Sequence, residues 1–128
     1  RPDPNRLENP GGLLGDVIQL EVRNAAGVEG LAGEMTQYLT DLGFDVVEMG
    51  NWNQGMLQET VILDRIGNRG AVEQVAMALG VDSTRIQEEL KPTWFLDASI
   101  LIGSDFRSIK PFSDRFPQEP DQDNEEPE

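Results

Sequence analysis

The chain has 128 residues and contains neither histidine nor cysteine. That removes the commonest general base and the commonest transition-metal ligand. Thiol nucleophiles, disulfides and cysteine zinc sites go with them. What remains is oxygen and amide chemistry. The sequence carries 24 acidic residues against 10 basic ones. So many carboxylates offer many pairs of the kind acid–base hydrolysis uses. Most of them, however, fall at strand ends, on exposed helix faces or in the C-terminal run, where solvation accounts for them. No D-x-D-x-D-G loop gathers oxygens around a hard cation. The expectation is a non-enzyme, with no metal and no cofactor.

A few residues still have the type and setting of a binding site. Asp64 with Arg65, and Asp105, follow strand-like runs and fit a small polar ligand at strand ends. Turn chemistry plus a surface ion pair worth ~0–1 kcal/mol explains them more simply. Asn24-Ala25-Ala26-Gly27 precedes a helical run, so its backbone N–H groups are placed to hold an anion. No Lys or Arg accompanies that helix start, and a tight strand-to-helix turn, which every such connection needs, accounts for the Asn and Gly. Asn51 and Trp52 lie in a Gly- and Asn-rich connection. Trp52 is either a ligand platform or a cover for the open end of the core. Gly27, Gly30 and Gly33 do not fit G-x-G-x-x-G, which argues against a nucleotide loop.

These candidates need a scaffold, and the sequence supplies one. Ile18, Leu20 and Val22 alternate with polar residues, the period of a half-buried strand from about Asp16 to Arg23. Val28, Leu31, Ala32, Met35, Tyr38, Leu39 and Leu42 recur at helical spacing, predicting a helix over Val28–Leu42 that stops at Gly43. Gly30 and Gly33 would then sit inside that helix, tolerated for a close helix–sheet approach. Strands are predicted at Phe44–Met49, at Glu59–Asp64 and at Ala98–Ile102. A second helix is predicted over Gly70–Leu79, ended by Gly80. Residues 85–90 read either as a short helix or as an edge strand, stopped by Pro92. The order β-α-β-β-α-(short element)-β, with right-handed crossovers, predicts an α+β ferredoxin-like βαββαβ two-layer sandwich. Its sheet would be mostly antiparallel, with two helices on one face.

Residues 1–15, with their Pro and Gly, read as a flexible linker. Residues 16–106 read as the domain, and residues 107–128 as an extended acidic tail, largely disordered. Deleting Pro117 to Glu128 is expected to leave stability nearly unchanged. The net charge of -14 disfavours nucleic acid and anionic lipid as partners. It also disfavours anionic polymers unless a divalent cation bridges them, and favours a neutral glycan or a basic protein patch. No apolar run approaches the ~20 residues that cross a bilayer. The chain begins at Arg1 rather than Met, as a processed or excised piece does, so an upstream membrane anchor is expected.

One ordered set of motifs resembles a known family. It comprises Asn24 with Gly27, Gly30-Leu31-Ala32, Tyr38-Leu39, Gly43-Phe44 with Val46, Thr60 with Ile62, Asp64-Arg65, Leu79-Gly80, and Gly103 with Asp105-Phe106. Over about Val17 to Phe106 this is similar to the LytR C-terminal domain family, whose members are cell-envelope domains. The family's turn before the first helix is commonly Asn-Gly-Thr-Gly; here it is Asn24-Ala25-Ala26-Gly27. The resemblance carries over no catalytic residue. It implies a non-catalytic, extracytoplasmic accessory or binding domain, periplasmic or at the cell surface, that contacts a wall component or a protein partner. The contact region is expected where the Asn24–Gly27, Asn51–Gly55 and Asp64–Asn68 loops gather. A second reading is a small-molecule sensor of the ACT type, which also uses a βαββαβ fold.

Overall fold

The structure, a computed structural model, describes residues 17–114. The expectations for residues 1–15 and for Pro117 to Glu128 lie outside them. Strand β1 (Gln19–Asn24) is followed by helix α1 (Leu31–Asp41), β2 (Asp45–Asn51), β3 (Val61–Asp64), α2 (Arg69–Leu79), β4 (Ile86–Glu88) and β5 (Ala98–Ile102). The ambiguous 85–90 segment resolves into the end of a 3₁₀ turn, Ser83–Arg85, and the short edge strand β4.

The sheet corrects the ferredoxin-like, mostly antiparallel expectation. Its order is β2-β1-β5-β3-β4. The β1–β2, β1–β5 and β3–β4 pairs are parallel, and only β3–β5 is antiparallel. The physical reason lies in the connections. Both β1-α1-β2 and β3-α2-β4 return the chain through a helix to the same end of the sheet, which makes neighbouring strands parallel. Residues 52–60 contain no helix and make no return trip. They cross the carboxyl ends of β1 and β5, with the Leu57 N–H donating to Ala25 O (2.9 Å) and the Ser104 N–H to Leu57 O (2.8 Å). The chain therefore starts β3 at the far side, running the opposite way.

The two-layer arrangement is as expected. Leu20 and Val22 of β1, Ile62 of β3, and Ala98, Ile100 and Ile102 of β5 share one buried cluster with Leu31, Met35 and Leu39 of α1 and Val72, Val75 and Leu79 of α2. Alternation puts these strand residues on one face, so both helices cover the same side of the sheet. Leu39 is fully buried.

Element ends shift from the sequence reading. Val28 is 41% exposed and Gly30 takes φ +92°, so α1 begins at Leu31 rather than Val28. A Cβ on Gly33 would meet nothing within 4 Å, so close helix–sheet packing does not explain this glycine. The buried core takes in residues past 106. Ile109 and Phe112 are buried in the same core, and the Phe106 and Phe112 rings meet edge to face at 5.7 Å. Ile109 and Phe112 stand among mostly polar neighbours at positions 107–114, where two isolated apolar side chains form no periodic stripe.

Candidate functional site

At the carboxyl ends of β1 and β2 the structure brings together Asn24, Gly27, Asn51 and Trp52, around a cleft of about 440 Å³. Much of the polar capacity there is already used. The Asn24 side chain accepts from the Ala26 N–H (3.0 Å) and donates to Val28 O (2.6 Å), which fixes the turn before α1. Gly27 takes φ +74°, a conformation suited to glycine.

Asp105 lies at the same end but serves as a clamp. One carboxylate oxygen accepts from the N–H and hydroxyl of Thr60 (2.9 and 2.7 Å), and the other pairs with Arg85 at 3.0 Å. Asp64 and Arg65 end β3, which runs antiparallel to β5, so they emerge at the opposite end of the sheet. Two of the three expected loops thus meet, and Asp64–Asn68 does not join them. The Asp64 carboxylate accepts from the N–H groups of Ile66, Gly67 and Asn68 at 3.2, 2.8 and 3.2 Å. These bonds shape the turn into α2.

Arg65 leads elsewhere, to the sheet face that carries no helix. Its side chain is only 2% exposed. Its Nε donates to Ser99 Oγ at 2.8 Å, and the Ser99 hydroxyl donates to Glu21 Oε2 at 3.2 Å. Its Nη1 donates to the carbonyl and the carboxylate of Glu89, both at 3.0 Å. Buried charges persist where partners satisfy them, and here a serine in the central strand links an arginine to the buried carboxylate of Glu21. Arg23 flanks Glu21 at 3.4 Å and bonds Glu48 at 3.2 Å. Trp94 lies over this network, its ring centroid 4.6 Å from the Arg65 guanidinium carbon, within cation–π range.

Trp94 stands in a short 3₁₀ turn, Pro92–Trp94, and Phe95 after it takes φ +58°. That left-handed conformation costs a non-glycine residue roughly 1–2 kcal/mol. The turn nonetheless presents both rings outward, Trp94 48% and Phe95 71% exposed. Between Trp94 and Trp52 a groove of about 540 Å³ crosses the face that carries no α-helix, with Val61 and the largely buried Leu63 and Leu101 in its lining.

Sequence reading passed over Trp94, Phe95, Glu21 and Ser99. Two signals pointed to them. Ser99 interrupts an otherwise apolar central strand, and two large aromatics follow Pro92 where no helix or strand needs them.

Among the described residues, no group of three or more Asp or Glu is placed to hold a metal ion. No helix among them is long and apolar enough to cross a membrane. The family model described as LytR cell envelope-related transcriptional attenuator matches residues 17–106. No curated protein and no solved structure matches the chain.

Proposed function

The chain belongs to the LytR cell envelope-related transcriptional attenuator family, and on that premise we propose that it is a non-catalytic, extracytoplasmic accessory domain that holds an envelope component or a protein partner. One observation carries the binding role. The two α-helices cover one side of the sheet only, and the other side, where Ser99, Leu63 and Leu101 are themselves buried, bears a groove lined by Trp52 and Trp94. Ligand sites are concave, largely apolar and edged by a few polar groups, which describes this groove. The non-catalytic reading is supported by how the polar candidates are used. Asn24, Asp64 and Asp105 are each committed to backbone groups of the fold, and no histidine or cysteine stands by. The sensor reading of the ACT type rested on a ferredoxin-like antiparallel sheet, and the sheet found is mostly parallel.

The test is a binding series with the purified domain against muropeptides, wall glycans and duplex DNA at low and moderate salt. Saturable binding to an envelope component, little changed by salt, is the expected result. Tight DNA binding that weakens steeply with salt, the mark of phosphate neutralisation, would overturn the proposal. So would a gene whose full product is cytosolic.

A further inference from the structure

We propose that the groove on the sheet face without an α-helix takes a short neutral oligosaccharide, laid along β3 between Trp94 and Trp52. This rests on the reading of the chain as an envelope-binding domain and assigns that binding a place and a ligand class. Four features converge. The first is the pair of rings. The C–H faces of pyranose rings are apolar and pack flat on aromatic faces, and tryptophan offers the largest. Trp52 and Trp94 both line the groove.

The second is the lining between them. Val61 and the largely buried Leu63 and Leu101 form an apolar floor, while Gln54, Gln87, Glu89 and Lys91 line it with polar groups. Amides donate and accept, and carboxylates accept, which suits hydroxyl groups that do both. The third is length. The groove runs along β3 from Val61 to Arg65 just past its end, about 13 Å at the usual rise of a strand, enough for two or three sugar rings end to end.

The fourth is charge. Inside the groove Arg65 is paired with Glu89 and Lys91 adds a second cation beside Trp94, while the chain as a whole carries -14. A polyanion is repelled by the whole molecule. A neutral ligand incurs no such repulsion.

An extended peptide fits less well. Strand addition needs a free edge, and β3 is bonded on both sides, to β4 and to β5. The groove therefore offers side chains and no ladder of backbone groups.

The experiment titrates the domain, in the form described here with its flanking residues, with N-acetylchitotetraose and with cellotetraose. Tryptophan fluorescence and backbone amide shifts are followed. The expected result is saturable binding by at least one of them, with shifts centred on Val61, Leu63 and Leu101. Two variants test the site. Gln87→Ala changes an exposed edge residue. Trp94→Phe keeps a ring over Arg65 while shrinking the stacking surface. Each is expected to weaken binding by roughly tenfold, the factor that one good contact commonly supplies, with an unchanged circular dichroism spectrum.

The groove assignment is overturned by sugar binding that leaves both variants at wild-type affinity, or by shifts confined to the Asn24–Gly27 cleft. It is overturned equally by the absence of saccharide binding, or by a peptide that produces the groove shifts when neither sugar does. In those cases muropeptide or partner-protein binding that survives both variants keeps the envelope reading standing. Salt-sensitive DNA binding would remove that reading itself.

Discussion

Ser99 is the residue on which the bare face turns. It accepts from Arg65 and donates to Glu21, both buried. Ser99→Ala removes the link at almost no change in volume and leaves Arg65 Nε and a Glu21 oxygen short of a partner. Leaving a buried polar group unsatisfied costs about 1–3 kcal/mol, so a urea melt should show a loss in that range. A change within the noise of the measurement would mean that water replaces the serine freely.

Two glycines make a contrast at the same scale. A Cβ on Gly103 would lie 2.4 Å from the Glu59 carbonyl carbon and 2.8 Å from the Thr60 nitrogen. That obstacle is backbone and cannot step aside. A Cβ on Gly50 would meet only the tip of Arg23, at 2.5 Å, and a long side chain can swing away. Gly103→Ala is expected to cost at least the ~1–3 kcal/mol of ordinary overpacking, and Gly50→Ala much less. Equal melting points for the two variants would contradict the loop crossing.

At the scale of elements, Leu39 sits in the middle of the α1 stripe with no exposure. Leu39→Ala is expected to cost ~2–5 kcal/mol; a loss below half a kcal/mol, the range of surface changes, would mean that α1 does not seal the core.

The two helices are also tied directly, because the Tyr38 hydroxyl of α1 donates to Ala78 O of α2. Partial burial, the largest effect, raises the Tyr38 pKa above its ordinary 10.0; Lys110 opposes this and Asp114 adds to it. A raised folded-state pKa means that the stabilisation is complete below the unfolded value and is lost as pH climbs through the folded one. Stability should therefore fall at strongly alkaline pH. Tyr38→Phe should lose about 1 kcal/mol at neutral pH and show a smaller alkaline fall. An alkaline fall of the same size in the variant would assign it to other groups.

These elements were largely legible in the sequence. The stripes from Leu31 to Leu39 and from Val72 to Leu79 state which side of each helix is buried, and so that both cover one face. Strand direction is another matter. Alternation at Leu20 and Val22 reads the same whichever way the neighbouring strand runs, so parallel pairing could not be read from it. Direction was decided by residues 52–60, whose Asn, Gln and Gly specify an irregular path without specifying where it ends.

At the scale of the whole molecule, the candidate site was legible only in part. Asn24 and Trp52 do lie together, because parallel β1 and β2 end on the same side. Asp64 went to the other end once β3 reversed. Arg65 was noticed as half of a surface pair and turned out to be buried beneath Trp94. Such a contact joins segments far apart in sequence, and no local pattern marks it.

The position of β5 has a consequence of its own, in the order in which the molecule can form. The two βαβ halves, β1-α1-β2 and β3-α2-β4, touch no common strand until β5 slots between β1 and β3. Among the described strands, the last in sequence is thus the one that joins the sheet, a long-range pairing that delays folding. A chain ending before Ala98 is expected to show no cooperative unfolding transition in urea. Adding residues 98–114 should restore one. If the shorter chain melted cooperatively, one half would be a folding unit by itself. During synthesis, both halves must wait with their apolar faces unsealed until the final strand emerges from the ribosome, which makes the nascent chain a natural client for chaperones.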